Sequence, residues 1–138
     1  MPTLTRWLVK TSFVYLALAL LAGLLLAAQS TLGLAVPDEL FPVYIHLLVF
    51  GWLTQLVFGV VFWMFPKYSA ERPRGSETLG WWTYALLNLG LILRAIGEPV
   101  QAMSPGPLTG WTLVVSAGLQ LGAGMTFVLN SWKRIRVK

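Results

Sequence analysis

The chain has 138 residues, 57% of them hydrophobic and 11% charged, and a formal net charge of +5. That balance is too apolar for a water-soluble domain, and the length leaves no room for a soluble domain beside four membrane crossings, so one transmembrane domain over residues 1–138 is expected. With no cysteine, disulfides, thiolate ligands, iron–sulfur clusters and covalently attached c-type haem are excluded.

Residues 1–10 read as a short basic lead carrying Arg6, Trp7 and Lys10. The next run is rich in leucine and alanine and predicts a first helix over about residues 11–32. A positive start and small residues near its end also fit a signal peptide. The apolar run is long for that, and Ala27-Ala28-Gln29-Ser30 makes a poor cleavage site, so a retained helix is expected. Residues 33–42 read as a turn with Pro37, Asp38 and Glu39.

The second helix is expected over about residues 43–65, ended by Pro66. It is almost wholly apolar and long enough to cross a hydrocarbon core of about 30 Å. Residues 67–78 are the most polar stretch, with Pro73 and Gly75 as breakers and Ser76 placed to cap the third helix. That helix is expected over about residues 79–97, then a second connection to Pro107, and a fourth helix over about residues 108–131. The fold class is therefore all-α: four transmembrane helices in an antiparallel up-down bundle.

Charge placement orients it. The amino end, the 67–78 connection and the tail hold nine of the ten basic residues; the other two connections hold Asp38, Glu39 and Glu98 and no basic residue. The positive-inside rule then puts both termini in the cytoplasm of a bacterial-type inner membrane. Lysine and arginine serve here as anchors at helix ends, not as a nucleic-acid surface. Trp7, Trp63, Trp81, Trp82 and Trp132 near one face and Trp111 near the other form an aromatic belt.

Inside the apolar runs, polar groups fall in two layers. Gln55, Asn88 and Gln120 sit near the midplane, where lipid cannot satisfy an amide; they read as interhelical hydrogen-bonding groups, or as the lining of a proton or quinone path. Near the outer face come His46, the sole histidine, one turn inside helix 2, and Arg94, one turn from the exit of helix 3. Arg94 and Glu98 are spaced to pair at i and i+4, so Arg94 reads either as snorkelling to water with Glu98 as its partner or as a binding group sharing a pocket with His46. An ionisable side chain at that depth is a functional-site hypothesis by default. Gly118-x-x-x-Gly122 marks helix 4 for close packing within the bundle or across a dimer seam.

The stretch His46-Leu-Leu-Val-Phe-Gly-Trp52, followed by Val57-Phe58-Gly59-Val60-Val61-Phe62-Trp63-Met64-Phe65-Pro66, resembles helix 2 of the large subunit of haem–copper oxidases and, more closely, of nitric oxide reductases. It also resembles small oxidase-subunit-I-like membrane proteins that stand alone as four-helix chains. The resemblance implies haem b with His46 as an axial iron ligand. The same family needs a second haem ligand and several further histidines at its catalytic centre. This chain has none, so an oxidase or reductase active site is excluded and the protein is not expected to be an enzyme.

Around such a haem, Leu47, Phe50, Leu53 and Val57 can wall the porphyrin, and Arg94 can pair with a propionate. The sixth ligand has three candidates: His46 of a second copy, Met103 in the outer connection, or no ligand, leaving a site for a gas. The expected function is a b-type haem protein for electron transfer or diatomic-gas sensing. Its expected partners are the bilayer and a homodimer mate or larger respiratory complex. The alternatives are a cofactor-free accessory or assembly subunit of such a complex and a small oligomeric transporter.

Overall fold

The computed structural model of the protein describes residues 1–71 and 73–135. Arg72, Arg136 and Lys138, three of the charges used to orient the chain, lie outside the described residues.

Among the described residues four helices are long and apolar enough to cross a membrane, as expected of a multi-pass membrane protein. Helix α1 (Thr3–Leu32) starts well before the expected residue 11. The basic lead belongs to it because Leu4 and Leu8 are buried while Arg6, Trp7 and Lys10 stay exposed on the same turns. An amphipathic first turn at an interface extends a helix where composition alone suggests a tail. Gly33 ends α1 in the left-handed region, with φ 63°, a conformation glycine adopts without steric cost.

Helix α2 (Leu40–Met64) also starts earlier than expected, and Pro42 falls in its first turn. A proline is tolerated there because its missing N–H would have no helical partner. Leu40–His46 and Gln55–Met64 are α-helical, and Leu47–Thr54 between them is a π-helix. Wide turns of this kind are rare and occur often at functional sites; this one begins at the residue after His46. Phe65 then turns to extended backbone, with ψ 152°, as the residue before Pro66 must.

Helix α3 (Glu77–Met103) opens on Ser76, whose Oγ accepts from the N–H of Leu79 at 3.3 Å, and carries Glu77 at the favourable end of its dipole. It runs past the expected end at residue 97 and takes in Pro99. Gly-Glu-Pro is a breaker in water. Within an apolar bundle the helix continues, because neighbouring packing holds it: a Cβ on Gly97 would meet Leu113 Cδ2 at 3.0 Å and Thr112 Oγ1 at 3.1 Å. Helix α4 (Pro107–Ser131) has Pro107 at its first position, and Trp132–Arg134 add a 3₁₀ turn.

The order of contacts fixes how the helices lie. Leu8 of α1 meets Gln55 and Gly59 of α2, Tyr15 meets Gly51, and Gly23 meets Tyr44. On α3 and α4, Ser76 meets Asn130, Thr83 meets Thr126, Gly90 meets Ser116, and Gly97 meets Thr112. Helices α1 and α3 run side by side, Thr11 bonding Tyr84 and Tyr15 bonding Asn88. Tyr15, Ala19, Val43, Leu47, Leu87, Leu91 and Ala123 form the main core, and Leu4, Leu8 and Phe62 a smaller one. Helix α4 packs along α3, and reaches α2 only over Gln55–Met64, where Phe58 and Phe127 stack at 3.9 Å.

Glycines make the close approaches, but not at the expected motif. A Cβ on Gly51 would lie 2.7 Å from Tyr15 Cγ, and one on Gly90 2.9 Å from Gln120 Cγ. Gly122 makes only an ordinary contact with Leu86, and Gly118 faces open space.

Candidate functional site

The polar layer of His46, Arg94 and Glu98 assembles where the start of α2 passes the end of α3. The His46 Nδ1 lies 2.8 Å from the carbonyl oxygen of Pro42. A carbonyl can only accept, so Nδ1 carries the hydrogen, and in the neutral ring Nε2 keeps its lone pair. The Pro42 carbonyl thus selects the tautomer in which Nε2, the nitrogen farthest from the chain, carries the lone pair.

Glu98 supplies the second neighbour. Its Oε1 lies 4.0 Å from His46 Nδ1 and accepts from Arg94 Nε at 2.5 Å. The pair is spaced i and i+4 on α3, so the helix itself sets the two groups side by side. Glu98 is only 8% exposed, yet its Oε2 has no partner among the described residues. An ionised oxygen left in that state is costly. Continuation of α3 through Pro99 brings this carboxylate into the bundle; a break at residue 97 would have left it in a loop.

The π-helix arranges the apolar side of the site. Phe50 stacks on the His46 ring with centroids 5.7 Å apart and planes 16° apart. Phe50, Leu53 and Val57 are exposed on α2, while Leu47 is buried in the core. Beneath them Gly51 admits Tyr15, which presses into the space a side chain would take.

The structure therefore brings His46, Phe50, Arg94 and Glu98 together. Leu53 is exposed three residues farther along α2. Met103 does not join them: it ends α3 at 86% exposure, turned out of the bundle. Arg94 is engaged with Glu98 through Nε, which leaves its outer nitrogens for another anion. Glu98 was legible only as the partner of Arg94, and the Pro42 carbonyl was not legible at all. An acid four residues from a membrane-depth arginine, next to a Pro, is the signal that points to Glu98.

An apolar groove of about 350 Å³ runs beside the cluster, between α1, α2 and α3. Val43 and Leu47 line it on α2 and Ala95 and Ile96 on α3. These are the neighbours of His46 and Arg94, and neither His46 nor Arg94 is part of its wall.

The midplane amides are committed to packing. Gln55 Nε2 donates to the Leu8 carbonyl at 3.3 Å. Asn88 accepts from the Tyr15 hydroxyl at 2.8 Å and donates to the Tyr84 carbonyl at 2.8 Å. Gln120 donates to Ser116 Oγ, which bonds the Gly90 carbonyl across the α3–α4 seam at 2.7 Å. Gln55 Oε1 and Thr5 Oγ1 stay buried without a partner among the described residues.

Sequence reasoning also missed the opposite end. Arg134, taken as an anchoring charge, is 1% exposed. Its Nε, Nη1 and Nη2 donate to the carbonyls of Pro66, Phe62 and Phe65 at 3.1, 3.1 and 2.8 Å. Those are the groups a helix C-terminus leaves without partners. Asn130 closes the same end, accepting from the Ser76 N–H at 2.8 Å and donating to the Ser76 carbonyl at 3.1 Å.

No protein-family model, curated protein or solved structure matches this chain. Among the described residues no group of three histidine, cysteine or acidic side chains could hold a metal ion.

Proposed function

We propose that this protein is a b-type haem-binding subunit of a bacterial inner membrane, working in electron transfer or in sensing a diatomic gas. In this reading the four spans form an antiparallel bundle with both termini in the cytoplasm, and the His46 cluster lies near the outer face. One observation carries the proposal: Nδ1 of the only histidine is tied to the Pro42 carbonyl beside a carboxylate, leaving Nε2 as a donor for iron. The likeness of residues 46–66 to helix 2 of the oxidase superfamily points the same way.

The residues present fit one axial position of a haem. His46 supplies the donor nitrogen. Phe50 and Leu53 offer exposed apolar surface for one porphyrin face. The outer nitrogens of Arg94 can take a propionate while Nε stays with Glu98. Met103, 86% exposed at the end of α3, is left out of the ligand set in this reading. The haem, when bound, supplies a one-electron couple or a gas-binding iron. The chain's own residues do the rest: Pro42 and Glu98 orient the imidazole, Arg94 sets the charge beside it, and the Leu/Phe flank keeps water out.

A second reading is favoured by the open side of α2, where residues 40–54 have no neighbour from α4. A transmembrane helix of a larger respiratory complex fits there, which makes this chain a cofactor-free accessory subunit. The third alternative, a transporter path, has its midplane amides already engaged.

The absorption spectrum decides. Membrane-purified protein is expected to show a Soret band that His46→Ala removes and added imidazole restores. A colourless protein that co-purifies with a larger complex overturns the haem reading in favour of the accessory one.

A further inference from the structure

We infer that Thr3, Arg6, Trp7 and Lys10 form a headgroup site for an anionic phospholipid, at the end of the bundle opposite Glu98. The inference uses none of the residues of the haem reading and stands apart from it.

These four side chains line a cavity of about 240 Å³ on α1. Their spacing, i, i+3, i+4 and i+7, sets them on one face of the helix. All four are exposed. On the buried side of the same turns, Leu4 and Leu8 cluster with Phe62, so the cavity lies at the end where α2 stops. Its wall is held from a second helix. Trp7 meets Tyr84 of α3 edge to face, with centroids 6.5 Å apart, and the Tyr84 hydroxyl is hydrogen-bonded to Thr11 Oγ1 at 3.1 Å. The indole is therefore positioned before any ligand arrives.

Charge names the occupant. Arg6 and Lys10 have no ion-pair partner among the described residues, where pairing is confined to Glu98 at the other end. No acid lines the cavity. Arg134, buried among the carbonyls of Phe62, Phe65 and Pro66, adds an uncompensated positive charge to the same end. The Arg6 guanidinium suits the two non-bridging oxygens of a phosphodiester, and Lys10 adds a point charge one turn along. Two cations also repel choline, so a zwitterionic headgroup fits less well.

The rest of the face selects a lipid over a free anion. Beyond Lys10 the same stripe of α1 is apolar, with Val14, Leu21 and Leu24 exposed along it. A molecule with a negative head and long hydrocarbon tails matches both parts, the head by charge and the tails by continuity down the helix. Inorganic phosphate matches only the first part.

The test uses the full chain in mild detergent, with native mass spectrometry counting bound phosphatidylglycerol or phosphatidylcholine of identical acyl chains. The first phosphatidylglycerol is expected to bind about tenfold more tightly than phosphatidylcholine, with the preference shrinking as ionic strength rises. Arg6→Gln with Lys10→Gln is expected to cut the preference to about twofold or less. Both side chains are exposed, so the fold is expected to stand, and the salt series on the unaltered chain gives an independent reading. Lys67→Gln with Lys133→Gln removes the same charge elsewhere at this end and is expected to keep the preference. Trp7→Ala leaves every charge in place and is expected to weaken phosphatidylglycerol binding about threefold. Equal affinity for the two lipids, or a preference indifferent to salt, overturns the inference. An equal loss in the Lys67 and Lys133 pair marks a diffuse field without a site and overturns it too. Displacement of the bound lipid by inorganic phosphate overturns the lipid as occupant.

Discussion

Arg134 and Glu98 are charged, nearly out of solvent, and at opposite ends of the same bundle. The guanidinium donates to three carbonyls of the α2 terminus and lies 5.9 Å from the Phe65 ring centroid. The carboxylate shares one oxygen between Arg94 and the edge of His46, and its other oxygen has no partner among the described residues. Around Arg134, Asn130 makes two more bonds to Ser76, so α2, α3 and α4 are tied at that end. Around Glu98, α4 has parted from α2. The first arrangement gives stability, because every strong donor used meets an acceptor. The second leaves a buried acceptor without a partner among the described residues, beside a ring nitrogen and a cation.

The contrast can be broken by mutation. Arg134→Ala strips three carbonyls of their donors and is expected to cost about 3 kcal/mol, read as lost resistance to thermal or denaturant unfolding in detergent. Arg134→Lys should recover only part, since an ammonium lacks the planar fork. Retention of full stability by the alanine variant would sink the idea that this end is a lock.

Gly51→Leu tests how firmly α1 seats the half of α2 that carries His46. A side chain there collides with Tyr15, its Cβ alone at 2.7 Å from Cγ, at an expected cost of about 2 kcal/mol. A compensating Tyr15→Ala should return part of it, and a strictly additive double mutant would speak against the contact.

Asn130→Ala releases the start of α3. With two hydrogen bonds to one backbone lost, about 1–2 kcal/mol is expected, and amide exchange at residues 76–79 should rise before global unfolding. Unchanged exchange there would remove Asn130 from the clamp.

Glu98→Gln gives the smallest effect and the sharpest contrast. It removes a buried charge whose Oε2 is alone and supplies an amide donor in its place. Stability is expected to fall by less than about 1 kcal/mol: the ion pair with Arg94 is lost, but Arg94 is part-exposed and can turn to water, and the amide serves an oxygen position that stood without a partner among the described residues. A loss as large as that of Arg134→Ala would erase the distinction between the two ends.

Much of the architecture is written in local signals. Four apolar runs of membrane length, Pro66 and Pro107 at helix limits, and Ser76 as a cap are all readable because each acts through its own neighbours. The features that escaped depend on distant contacts. Pro42 and Pro99 look like breakers until the bundle around them is known. Arg134 looks like a surface charge until the end of α2 is beside it, and only coordinates show that Gly118 faces open space in the single chain instead of a helix of the same bundle. The approach of His46 to Arg94 follows from aligning helices by their ends, and the Arg94–Glu98 pair from spacing along α3. The Pro42 carbonyl, the orphaned oxygen of Glu98 and the outward turn of Met103 need coordinates, since each depends on which way a particular turn faces.

The wide turns over Leu47–Thr54 act as a phase shifter in α2. A π turn takes up one more residue than an α turn, so the upper and lower parts of the rod are clocked differently about their shared axis. Gln55 and Gly59 can stay keyed to α1 while the imidazole above them is rotated towards α3. Shortening that stretch by one position would reset the dial: the lower part would still fit its neighbour, and the ring would swing off Glu98.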